Sequence, residues 1–235
     1  MDIRKRHILQ AIIQQFIHTA SPVGSKLLKE IGGFEVSSAT LRSDMSTLED
    51  EGFLMQVHTS GGRIPTPKGY RLYVDEMAIP QDFRLQIFSA FEQQCQQYFE
   101  EKRADELVFD AVSVMTRMTP NIVFSTIPSA NRMFFLGFSR MMQEPEFYES
   151  SEKTSGIFRV LEEQLYGFLH SLDIGDGVEI FIGEENVIPE MESCSLLVSR
   201  YSALNYQGYF GILGPMRMDY TQNMVVLEAA KKLFR

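Results

Sequence analysis

The chain has 235 residues, 44% hydrophobic and 23% charged, the balance of an ordinary globular protein with room for one or two domains. Its formal charge of −9 counts against a nucleic-acid partner until that charge is located along the chain. Residues 1–77 hold nine basic and nine acidic side chains, the remainder thirteen against twenty-two, and Gly52–Val74 carries Arg63, Lys68 and Arg71 with no acid at all, the local excess that a phosphate-facing surface needs.

The first apolar set, Ile8, Leu9, Ile12, Ile13, Phe16 and Ile17, recurs at helical spacing and predicts a helix of about three to four turns. Ser21-Pro22 stops it. A short second helix is expected around Ser25–Ile31, closed by Gly32-Gly33, where a positive φ suits glycine. Ser37 or Ser38 can cap a third helix running to about Glu51. At about 100° per residue, Leu41, Met45 and Leu48 of that helix share one face. Ala39, Ser43 and Ser46 lie opposite, with Arg42 on the flank. Such a face is slim and polar enough to enter a major groove, and it also suits an ordinary solvated helix.

The segment after it favours the first reading. Phe53–Val57 reads as a short strand, His58-Thr59-Ser60-Gly61-Gly62-Arg63 as a flexible tip, and Ile64–Thr66 as the return. Pro67 suits the first turn of a further helix. Two short strands around a basic loop directly after a recognition helix make a wing, which lies along the DNA backbone or over the minor groove and gives Arg63 and His58 a reason to be there; a surface hairpin with no ligand has the same pattern. The predicted unit, residues 1–78, is a winged helix-turn-helix.

Beyond Pro80, Phe83, Ile87, Phe91, Cys95 and Phe99 recur every four residues. They predict a long amphipathic helix within a linker segment, residues 79–105, whose stripe suits either an intramolecular core or a partner helix. A second helical stretch carries Val108, Val112 and Met115. Strands are expected at Asn121–Ile127, Met133–Gly137, Gly177–Ile182, Ser195–Arg200 and Tyr206–Leu213. One helix bearing Phe158, Leu161, Leu165 and Leu169 lies among them, and a last helix covers about Asn223–Phe234. The whole is an α+β chain whose second domain, residues 106–235, is an antiparallel sheet with segregated helices.

No catalytic or metal site is expected. His7, His18, His58 and His170 have no paired spacing, Gly175-Asp176-Gly177 reads as a turn, and Glu184-Glu185 has no partner cluster. Cys95 and Cys194 lack CxxC spacing and read as reduced thiols. The charged start, Met1–Arg6, is followed by apolar residues broken by Gln10, Gln14, Gln15 and His18. Neither a secretory leader nor a membrane span is expected, and the chain reads as cytoplasmic.

Several runs resemble the HrcA heat-inducible transcription repressors: Ser21–Ser25, Ser37–Met45, Leu48-Glu49, His58–Thr66 and Gly69–Asp75 in the first unit. Gln143–Phe147, Ile182–Asn186 and Gly211–Tyr220 look like landmarks of the same family's C-terminal region. The resemblance implies a GAF-like second domain, no cofactor, and repression of chaperone operons through an inverted repeat, with modulation by a GroEL-type chaperonin. It places Ser38, Ala39, Thr40, Arg42 and Ser43 near base edges and phosphates, with Lys26, His58, Thr59, Ser60 and Arg63 on the backbone. Family members are roughly a hundred residues longer through an inserted dimerising domain; here the flanking landmarks nearly meet, near Pro128–Arg132. An inverted repeat needs two protomers, so a homodimer is expected through Phe83, Ile87, Phe91 and Phe99 or through the sheet. A winged-helix regulator sensing a small ligand in the second domain is the main alternative, and a module whose winged helix contacts protein rather than DNA is a more distant one.

Overall fold

The computed structural model describes residues 1–57, 61–95, 104–127, 132–203 and 206–234. They divide into two compact units, Met1–Met77 and Ala78–Arg235.

The first unit opens with α1 (Ile3–Thr19). It begins earlier than its apolar stripe because the Asp2 carboxylate caps it, accepting from the Lys5 N–H at 2.8 Å. Ile8, Leu9, Ile12 and Ile13 are its buried face. Helix α2 (Ser25–Gly32) ends on Gly33, whose φ of +60° is the left-handed conformation that the glycine pair announces. Helix α3 (Ser38–Asp50) follows, then the antiparallel pair β1 (Leu54–Gln56) and β2 (Arg63–Pro65), and α4 (Pro67–Glu76). Thr66 caps α4 through the Gly69 N–H at 3.1 Å, and its own hydroxyl donates to Gly52 O at 2.7 Å, tying the helix to the end of α3.

The second unit begins with α5 (Gln81–Cys95) and α6 (Ala104–Met118). Strands β3 (Ile122–Ile127) and β4 (Arg132–Leu136) follow, then the short helices α7 (Phe138–Met141) and α8 (Pro145–Tyr148). After them come α9 (Ser151–Glu163), α10 (Leu165–Ser171), β5 (Val178–Ile182), β6 (Cys194–Ala203), β7 (Tyr206–Pro215) and α11 (Tyr220–Lys232). The strands form one antiparallel sheet in the order β4-β3-β7-β6-β5. The run expected as one helix at Phe158–Leu169 is two, broken at Gln164; Leu161, Leu165 and Leu169 nevertheless enter the same core.

Alternation along the strands divides the sheet's two faces. Phe124, Cys194, Leu196 and Val198 meet Phe147, Ile157, Leu161 and Leu165 in one apolar cluster. On the other face, α11 packs against β6 and β7, and α6 against β3. Helix α5 lies against α11 and α6. Residues 81–95 are therefore part of the second unit's fold, where the spacing alone suggests a linker.

Two family-like landmarks of this unit meet through one side chain. The Arg217 guanidinium, 10% exposed, donates from Nε to Glu146 Oε1 at 2.5 Å and from a terminal nitrogen to Glu144. Burial works against its charge, but the two carboxylates more than offset this and raise its pKa above the ordinary arginine value. In a third landmark, the buried Asn186 side-chain amide donates to three carbonyls, Gly183 O, Met191 O and Cys194 O, at 2.8–3.2 Å. It holds the turn between β5 and β6 in place.

Both cysteines are free and buried. Burial pushes the Cys194 thiol up to about 12. Cys194 is expected to resist alkylation at pH 8 in the native chain and to react once the chain unfolds. Rapid native labelling, read by mass spectrometry, would contradict its place in the core. Among the described residues, no helix is long and apolar enough to cross a membrane, and no group of three or more His, Cys, Asp or Glu is placed to hold a metal ion.

Candidate nucleic-acid interface

Helix α3 starts where Ser37 caps it. The Ser37 Oγ accepts the Thr40 N–H at 3.1 Å and lies 2.9 Å from the Thr40 hydroxyl, so both groups are engaged in the cap. Leu41, Met45 and Leu48 are buried on the inner side, as their spacing requires. Ala39, Arg42, Ser43 and Ser46 are exposed on the outer side, while Ser38 and Thr40 are half-buried.

One polar residue lies on the inner stripe. Asp44 is 7% exposed, and the Arg4 guanidinium forks onto its carboxylate, with Nε at 2.8 Å from Oδ2 and a terminal nitrogen at 3.2 Å from Oδ1. This pairing raises the pKa of Arg4 above its ordinary value. It joins the start of α1 to the middle of α3, forty residues apart. Asp44's place three residues after Leu41, on the apolar stripe, was the available signal; nothing local names Arg4 as its partner.

The β1–β2 hairpin is fastened at its base to the turn between α1 and α2. Val23 and Arg63 exchange two backbone hydrogen bonds, each 3.0 Å long. Gly62 permits this approach, because a Cβ there would stand 2.5 Å from the Val23 carbonyl carbon. Two of the family-like runs, Ser21–Ser25 and His58–Thr66, thus meet at a backbone bridge. The Arg63 side chain turns to α3, with Nε and a terminal nitrogen each 2.8 Å from Glu49 Oε2.

A cleft of about 220 Å³ opens between the start of α2, α3 and the hairpin. Lys26, Arg42 and Arg63 line it together with Ser25, Met45 and Gly62. Lys26 and Arg42 are exposed, and among the described residues neither has an ion-pair partner. Three basic residues singled out from the sequence, at positions 26, 42 and 63, are therefore brought to one place. His58, Thr59 and Ser60 lie outside the described residues. Lys68, which sequence reasoning did not assign to the site, covers the Phe53 ring at 4.5 Å and donates to Glu51 O at 2.8 Å at the end of α3.

The expected dimer face is altered by the packing of α5. Phe91 is fully buried within its own unit, so it is unavailable to a partner chain. Phe83 and Ile87 are half-buried, and Phe99 lies outside the described residues. The stripe at four-residue spacing is consumed largely by the chain's own helices α11 and α6.

A family model described as the HrcA protein C terminal domain matches residues 79–224, more than half of the chain. The chain belongs to the HrcA family. A heat-inducible transcription repressor HrcA from Acidothermus cellulolyticus is 37% identical over 134 residues, 56% of this chain and 38% of that protein. The HrcA repressor of Geobacter sulfurreducens is 26% identical over 335 positions, taking in 99% of this chain and 97% of the relative. That alignment is 100 positions longer than this HrcA chain, so the Geobacter protein carries about a hundred residues without a counterpart here. A crystal structure described as that of a hypothetical protein superposes with a TM-score of 0.81 at 20% identity, covering 100% of this chain and 97% of that one. It shows that the HrcA chain's fold is shared. The mixed helix and antiparallel-sheet fold, α+β, is as its sequence predicts, and its relatives are transcriptional repressors by name.

Proposed function

We propose that residues 1–77 form a winged helix that binds an inverted-repeat operator as a dimer, with α3 in the major groove and the β1–β2 hairpin along the backbone. The observation that carries this reading is the cleft where Lys26, Arg42 and Arg63 converge, beside the slim outer face of Ala39, Ser43 and Ser46. Exposed cations meet phosphates at the edge of such a face, and short polar side chains let the helix approach base edges. Ser38 and Thr40 support the start of α3, and His58, Thr59 and Ser60 contact the DNA backbone in this reading, as the sequence suggests. The second unit carries regulation, and a GroEL-type chaperonin keeps the repressor active, as the family resemblance implies.

The test is binding to a duplex selected from a random pool by the full chain, followed by fluorescence anisotropy across a salt series. Steep weakening with salt is expected of phosphate contacts. Arg42→Ala is expected to weaken binding by about 1–3 kcal/mol if the guanidinium pairs with a base. Equal affinity of variant and parent would remove Arg42 from the interface. Added chaperonin is expected to raise duplex binding, and the absence of any effect would remove it as a partner.

A further inference from the structure

Arg63 differs from the other two cations of the cleft. Its side chain is 13% exposed, and it has already met a carboxylate: Nε and a terminal nitrogen both lie 2.8 Å from Glu49 Oε2 on α3. Its backbone is pinned from the opposite side by the two hydrogen bonds to Val23. One residue thus fixes the hairpin to α3 through its side chain and to the α1–α2 turn through its backbone. A phosphate could capture this guanidinium only by drawing it from Glu49, which would leave a 30% exposed carboxylate bare beside the polyanion. With the pair intact, Glu49 and Arg63 together carry no net charge, and such a pair releases no counterion on binding DNA.

We propose that Glu49 and Arg63 form a clamp that sets the wing against the recognition helix, and that Arg63 governs operator recognition as a positioning residue rather than a phosphate ligand. The proposal rests on the DNA-binding reading above. It assigns the phosphate contacts of the cleft to the exposed Lys26 and Arg42. It also brings into the site Glu49, an acidic residue that no search for basic groups would select.

The two roles predict opposite behaviour of Glu49. In a clamp, Glu49→Gln and Arg63→Gln each weaken binding to the selected duplex roughly tenfold, and the double variant is no weaker than either single one, because both remove the same interaction. Arg63→Lys also weakens binding, since a lysine keeps the charge but cannot reproduce the planar fork. Binding to a random duplex of equal length, and its salt slope, stay as in the parent, which also shows that each variant is folded. If Arg63 is instead a phosphate ligand, Arg63→Gln weakens both duplexes alike and lowers the salt slope by about one. Arg63→Lys then retains affinity, and Glu49→Gln binds as well as the parent or better. That pattern overturns the clamp. A parent chain that binds neither duplex with a salt-dependent affinity overturns the DNA-binding reading itself, whatever the variants do.

Discussion

Arg217→Ala is expected to destabilise the second unit by about 3 kcal/mol, the lower end of the cost of removing one partner from a buried ion pair. The arginine is 10% exposed, and its loss leaves Glu144 and Glu146 facing each other without the cation between them. The carboxylates are 22% and 30% exposed, so water screens part of their repulsion, which places the effect at that lower end. The residue also joins two segments more than seventy residues apart, the turn after β7 and the start of α8. Replacing all three charges at once, as Glu144→Gln, Glu146→Gln and Arg217→Met, is expected to recover more than half of the loss, because no uncompensated carboxylate remains. Urea unfolding of the full chain reads both effects. A single variant within about 0.5 kcal/mol of the parent, the range of ordinary surface changes, would show that the triad is incidental.

Gly62→Ala is expected to cost the first unit about 2–4 kcal/mol, combining overpacking with the loss of the Val23–Arg63 bridge. The added Cβ would lie 2.5–2.7 Å from three backbone atoms of Val23, and a backbone cannot step aside as a flexible side chain can. The hairpin must therefore lift from the α1–α2 turn, carrying Arg63 away from Glu49 and opening the basic cleft. Affinity for the selected duplex should fall together with stability. Gly24→Ala is the control: it lines the same cleft, but a Cβ there meets nothing within 4 Å. Its expected cost, less than about 1 kcal/mol, is that of a poorer cap on α2. Comparable losses in the two variants, by thermal or urea unfolding, would show that crowding at Val23 is not what Gly62 avoids.

Much of the fold was legible because its signals are local. A cap acts over three residues, as Ser37 does on Thr40, and an apolar stripe repeats every three or four, as Leu41, Met45 and Leu48 do. The glycine that ends α2 and the proline that opens α4 act through their own backbone torsions. Strand-like runs marked all five strands of the second unit to within about three residues at their ends. The break at Gln164 escaped this reading, because the apolar period continues across it into the same core.

The sequence by itself therefore determined the order of the longer elements apart from the break at Gln164, the outer face of α3, the location of charge, and a family membership carried by whole runs of residues. Only the tertiary structure decided which of those runs touch. Val23 with Arg63, Arg63 with Glu49, Arg4 with Asp44, and Arg217 with Glu144 and Glu146 are separated by fourteen to more than seventy residues. Periodicity and capping carry no information across such distances; chain closure and packing select the partners. The same reason separates the two lives of an apolar stripe. Phe91 has the spacing of an interface residue, and the packing of α11 and α6 makes it core. Arg63 has the composition of a phosphate ligand, and a glutamate fourteen residues earlier, brought within 2.8 Å by the fold, gives it another role to test.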